Sequence, residues 1–198
     1  MVNVHASNFY AVRNAILTLY GKKDYEKFLE TLPEELKDLL KKEVLENVKY
    51  PLSRLTSLLN LAENRYGNGL GKFIQEVGRE EAKLIIKREL VRNLNILFKT
   101  PIDVLKYAPE KIVPEIFENG RAEFVKGGKN EGTFRLGLPY LYQIPGLRLV
   151  LQHMTIGGIS SLLEMKGCKN IRLKSVRLGE WEDKTPYIEL TIAWEEET

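Results

Sequence analysis

The chain has 198 residues, 43% of them apolar, with 30 basic and 27 acidic side chains and a formal net charge of +3. Such a length and composition suit one globular domain, or one domain with a helical extension. Basic residues interleave with acidic ones, as across Lys83, Lys87, Arg88, Glu89 and Arg92, which excludes the one-sided basic stripe of a nucleic-acid binder.

A lone cysteine, Cys168, excludes an intrachain disulfide and argues against a thiolate-rich zinc site. Low cysteine use suits a reducing cytoplasm, and the abundance of Lys, Glu, Ile and Leu leans towards a thermophilic source. The amino terminus shows no basic-then-apolar secretory pattern. The most apolar stretch, Leu147 to Met165, contains Arg148, Gln152 and His153 and so reads as a buried helix rather than a membrane span.

In chain order, Ser7 is placed to cap a first helix carrying Phe9, Val12, Ile16 and Tyr20, which Gly21 ends. Tyr25, Phe28, Leu29 and Leu32 form a short amphipathic run. Pro33 opens another with Leu36, Leu39 and Leu40. Tyr50-Pro51 starts a helix whose stripe is Leu52, Leu55, Leu59, Ala62 and Tyr66. Gly67-Asn68-Gly69 breaks it, and a further helix starts near Leu70 with Phe73, Ile74 and Val77. The longest helical pattern runs from Glu80 to Phe98, with Leu84, Val91, Leu94 and Phe98 on one face. Thr100-Pro101 is a cap-and-proline start signal. Pro109 and Pro114 are expected to divide the helical stretch after it into short pieces ending at Asn119-Gly120.

From Gly120 the apolar period changes to two. Ala122 to Lys126 alternates, Gly127-Gly128 opens a hairpin turn, and Phe134, Leu136 and Leu138 face inwards on the return strand. A helix from about Pro145 to Met165 comes next. Ile171 and Leu173 then alternate, and the parity slips before Val176 and Leu178, which signals a β-bulge. Ile188, Leu190, Ile192 and Trp194 alternate cleanly. The expected fold is α+β: helices packed on a four-stranded antiparallel sheet, ending in a strand-strand-helix-strand-strand unit. The expected organisation is a helical extension over 1–49 and a ligand-binding-like part over 50–198, or one continuous domain.

No catalytic constellation emerges. His153 lies on the apolar side of the long helix, where a metal ligand and a partly buried, hydrogen-bonded imidazole compete as readings; the shortage of other ligands favours the second. Tyr50, Ser53 and Arg54 could hold an acidic group, although a helix start with a surface arginine explains them as well. Cys168 reads as a small half-buried hydrophobe. Asn68-Gly69-Leu70-Gly71 lacks the strand and the Lys-Ser/Thr ending of a phosphate loop and reads as an interhelix loop. Gly157-Gly158 inside a helix costs about 1 kcal/mol per glycine, so close packing or room for a ligand must offset it. Tyr140, Tyr142, Phe124, Phe134 and Trp194 are expected around the sheet–helix layer.

From Tyr50 to Trp194 the chain resembles a bacterial family of unknown function expanded in myxobacteria. The landmarks are Tyr50-Pro51, Glu76-Val77-Gly78-Arg79, Thr100-Pro101 with Leu105 and Pro109, Asn119-Gly120, the helix closing at Gly167, and Tyr187 to Trp194. That family is similar in architecture to heme-nitric-oxide-binding domains, 4-vinyl-reductase-type ligand-binding domains and transport-protein-particle subunits. Heme-binding members carry a Tyr-x-Ser-x-Arg motif and a proximal histidine. Tyr50, Ser53 and Arg54 depart from that spacing, the mid-chain helices have no histidine, and vinyl-reductase-type zinc sites use more than one cysteine. The resemblance implies a sensory or scaffolding module, the departures from its pattern speak against heme and zinc, and no cofactor is expected.

The resulting expectation is a non-enzymatic, cytoplasmic sensory or regulatory module that binds a small apolar ligand or a protein partner, as a dimer. It has no nucleic-acid partner and no membrane span. Candidate pocket residues are Phe98, Tyr140, Tyr142 and His153. The competing expectation is a structural or oligomerisation scaffold with a dry core.

Overall fold

Two runs of alternating residues and one long helix between them govern the second half of the molecule. A computed structural model describes residues 3–41, 48–87 and 99–196. Strand β1 (Asn3–His5) leads into helix α1 (Ser7–Thr31), and α2 (Glu34–Lys41), β2 (Lys49–Pro51), α3 (Leu52–Ala62) and α4 (Lys72–Lys87) come after it. Helix α5 (Pro101–Ile116) precedes β3 (Arg121–Gly127) and β4 (Glu131–Gly137), then α6 (Leu147–Glu164), β5 (Cys168–Glu180) and β6 (Pro186–Glu196).

The main sheet has the order β3-β4-β6-β5, antiparallel throughout, and β1 pairs with β2 in a small second sheet. Its inner face holds the residues that alternation selects: Phe134, Leu136, Ile188, Leu190 and Ile192 are fully buried. Each such side chain contributes about 1.5–3 kcal/mol by leaving water. The outer face carries a row of alternating charge across all four strands, Glu123, Arg135, Glu189 and Arg177, set by the register. The parity slip in β5 is a register shift between Leu173 and Ser175. The buried apolar residues form one cluster that runs from Val4 through the helices to Trp194. The fold is α+β, with a four-stranded antiparallel sheet as expected.

Several local expectations need correction. Ala6, not Ser7, occupies the cap position of α1, and no side chain caps it. Ser7 is the first helical residue and spends its hydroxyl on a distant carboxylate. Gly21 does interrupt the helical path as expected, with φ 80 and ψ 174, so that α1 is two helical stretches joined at a kink. Tyr50-Pro51 closes β2, and Pro51 is the N-cap of α3 rather than its first helical residue. Pro109 and Pro114 lie inside the continuous helix α5, which begins at a complete capping box between Thr100 and Asp103. The helical pattern ascribed to residues 88–98 lies outside the described residues. No helix among the described residues is long and apolar enough to cross a membrane.

Candidate ligand site

Helices α4, α5 and α6 meet around a void of about 40 Å³. At about 10–15 Å³ for one water-sized sphere, that is room for roughly three. The void exists because small residues face it from all three helices: Gly78 and Ala82 from α4, Ala108 from α5 and Gly158 from α6. Branched and aromatic side chains, among them Ile85, Val113, Phe117 and Leu162, close the perimeter.

The lining is apolar except at Glu81 and Thr155. Glu81 is 3% exposed, and its Oε1 accepts a hydrogen bond at 2.9 Å from the hydroxyl of Ser7, itself buried. A hydrogen bond in such water-poor surroundings is electrostatically stronger than one exposed to solvent. It pins the first turn of α1 to the middle of α4 at the edge of the void.

One flank of the void is shut. A Cβ on Gly157 would overlap the Gln75 carbonyl, and one on Gly78 would overlap the Met154 carbonyl. The backbones of α4 and α6 are therefore in direct contact along this line. Glycine is the residue that permits such an approach, at a cost in helix propensity that the contact offsets. A Cβ on Gly158, one position on, would stand 3.4 Å from Gly78 O and 4.0 Å from Ala82 Cβ, which is ordinary van der Waals spacing. Close packing thus accounts for Gly157, and room accounts for Gly158.

Below that crossing lies a polar anchor. A π-helical turn, Glu63–Gly67, continues from α3. Its buried Glu63 accepts from Gly71 N–H at 2.7 Å and from Ile74 N–H at 3.0 Å. A carboxylate from another element thereby satisfies amides at the start of α4, where the helix dipole favours negative charge. The Nε2 of Gln75 lies 3.0 Å from His153 Nδ1, and the imidazole ring packs on Gly71. Burial pushes the His153 pKa below its ordinary value of 6.5, and the nearby Glu63 charge pulls the other way without cancelling the effect.

A second concavity, open and polar, of about 500 Å³, sits at the end of the sheet between β3, β4 and the β5–β6 turn. Its groups already serve one another. Arg121 stacks over Trp181 at 4.3 Å, Arg135 stacks over Tyr187 at 4.8 Å, and Trp181 Nε1–H donates to Glu123 at 2.8 Å. Arg135 also donates to Glu189 at 3.0 Å.

The structure does not gather the expected pocket residues around the void. Tyr140 is half-buried in the loop after β4, its hydroxyl accepting from Asn119 Nδ2 at 3.4 Å. Tyr142 is 55% exposed. His153 faces the start of α4, and Phe98 lies outside the described residues. None of the three described members lines the void. Arg54 pairs with Glu35 at 3.3 Å on the surface. Cys168 is buried, and desolvation, with the Glu196 charge adding to it, raises its thiol to about 11; that thiol is a poor nucleophile near neutral pH. Sequence reading missed Glu81 and the small-residue set. The visible trace of the set is Gly78 and Ala82 at a four-residue step, facing the glycine pair of a second helix.

No family model matches the chain, and no curated protein matches it. Solved structures do. The chain is similar to the Fe(II) unliganded H-NOX protein from K. algicida, at 14% identity and a TM-score of 0.66, over 98% of this chain and 97% of that one. It is similar to a Cs H-NOX variant with 4-cyano-L-phenylalanine at site 5, at 10% identity and a TM-score of 0.67, over 97% of each chain. It is also similar to an oxygen-binding H-NOX domain related to soluble guanylate cyclases, at 11% identity and a TM-score of 0.65, over 96% of this chain and 95% of that one. At such identities the likeness establishes the fold: the architecture is H-NOX-like.

Proposed function

We infer that this chain is a sensory or regulatory module, not an enzyme, whose α4–α5–α6 void takes a small apolar ligand or the end of an alkyl chain. The observation that carries this reading is the apolar void, bounded by three helices and marked at one edge by a buried carboxylate, within an H-NOX-like architecture. An apolar site with few polar groups suits a ligand held mainly by burial and oriented at one end. Glu81 and Thr155 offer that orienting end to a hydroxyl or amine. The ligand would act by favouring one packing of the three helices over another.

Heme is the group that several neighbours suggest, one of them being described through heme distortion in the H-NOX family. The residues present do not fit it. The void of about 40 Å³ has room for roughly three waters, which suits a few carbon atoms and not a macrocycle. The glycine contacts between α4 and α6 close the gap that a flat macrocycle would need. Among the described residues, no imidazole, thiol or phenol lines the void. The chain's two histidines are His5, on β1, and His153, engaged with Gln75. No part of the proposed function runs through heme.

A scaffold with a dry core is the second reading, favoured by the same backbone-to-backbone crossing of α4 and α6. Methyl-resolved NMR with n-butanol as the probe separates the two. The sensory reading expects saturable shifts at Ile85, Val113, Ile159 and Leu162 that vanish in Ala82→Leu. Absent or unsaturable shifts would leave the scaffold reading in possession.

A further inference from the structure

We propose that the open edge of β5 is a docking strip for an extended segment of a partner protein in which apolar and acidic residues alternate. The strand order puts β3 and β5 at the two edges of the sheet. The two edges differ. β3 has seven residues of mixed charge and is packed against α5. β5 has thirteen residues and includes Lys169, Arg172, Lys174 and Arg177 against a single acid, Glu180.

Edge strands invite pairing, and bulges are one way to blunt them. The first half of β5 is blunted in this way, with register shifts between Lys169 and Arg172 and between Leu173 and Ser175. From Ser175 to Glu180 the register with β6 is unbroken. That regular stretch is also the sticky one. Val176 is 39% exposed and Leu178 48%, although their β6 neighbours on the same face, Leu190 and Ile188, are fully buried. On the opposite face Arg172 and Arg177 are exposed and make no ion pair among the described residues.

Charge decides the occupant. A second copy adding its own β5 would bring basic residues against basic residues, which is unfavourable. A strand with acids on the outer face and apolar residues on the inner face answers both sets of side chains. β6 already offers β5 this alternation on its paired side: Ile188 opposes Leu178, Glu189 opposes Arg177, and Leu190 opposes Val176. Backbone hydrogen bonds would supply affinity and the alternating side chains selectivity, as in other strand additions.

The test uses the full chain and an end-capped, fluorescein-labelled octapeptide alternating Val and Glu, followed by anisotropy. Saturable binding is expected, weaker in 0.5 M salt, and at least about tenfold weaker for the Val/Lys peptide because like charges then face each other. A fully N-methylated Val/Glu peptide is expected not to bind. Leu178→Lys is expected to abolish binding with little change in the urea midpoint, since the side chain is half exposed. Arg177→Glu gives a second reading: it is expected to shift preference towards the Val/Lys peptide. The proposal is overturned by an absence of saturable binding, or by equal binding of the N-methylated peptide, which would mean charge attraction without strand pairing. It is also overturned if sedimentation shows a dimer of this chain that Leu178→Lys dissociates, because a second copy then owns the edge.

Discussion

The two flanks of α6 solve opposite problems with neighbouring glycines. On one flank Gly157 and Gly78 bring two helix backbones together until no side chain fits between them. On the other, Gly158 helps leave a void that larger residues would have filled. The same residue type therefore records contact at one position and vacancy at the next. A glycine in a helix is interpretable only through what stands opposite it.

The contrast breaks first at residue 157. Gly157→Ala is expected to lower stability by about 2–3 kcal/mol, because the added methyl meets a carbonyl that cannot yield without separating the helices. A lowered urea midpoint with unchanged slope would show it, and a midpoint like that of the parent would deny the close contact. Next comes the anchor beneath the closed flank. Glu63→Gln keeps the shape but loses the charge and one acceptor, and is expected to cost about 2 kcal/mol. Faster amide exchange at Gly71 and Ile74 would locate the damage, whereas unchanged exchange there would separate Glu63 from the start of α4.

Gly158→Ala sharpens the contrast. Its methyl enters ordinary contact distance, so relief of the glycine penalty should dominate and raise stability by about 1 kcal/mol. It should also weaken n-butanol binding. A fall in stability would mean that the open flank is tighter than its spacing implies.

The smallest effect is a pH slope. Burial depresses the His153 pKa in the folded chain below its ordinary value of 6.5, so the fold favours the neutral ring. Its contribution to stability is full above that ordinary value and is lost as pH falls from there through the lowered folded value. Urea midpoints between pH 7.5 and 5 are expected to decline more steeply in the parent than in His153→Gln. Parallel curves would show that the ring's protonation is not linked to folding.

Much of the sheet was legible because its two faces have different solvents. Period-two alternation selected Phe134, Leu136, Ile188 and Leu190, and a single slip of parity marked one of the two register shifts in β5. Features that depend on distant partners were not legible. Nothing local says that Ser7 will hydrogen-bond Glu81 74 residues away instead of capping its own helix. The three residues of β2 are held by β1, a pairing that short-range pattern does not contain. The candidate pocket was sought among aromatic residues and His153, since those are conspicuous in a sequence. The void is instead outlined by glycine and alanine, whose contribution is the volume they do not occupy.

Helix α5 carries Pro109 and Pro114 within its span. A proline offers no amide hydrogen to the carbonyl four places earlier, so Leu105 and Glu110 each lose a rung of the helical ladder. Pro109 also borders the void. Of the three walls, this one has the fewest internal ties, while the α4–α6 wall is riveted backbone to backbone. Any swelling of the interior will therefore be taken up by α5, and the recoil will be felt first in β3 and β4, the strands against which it rests.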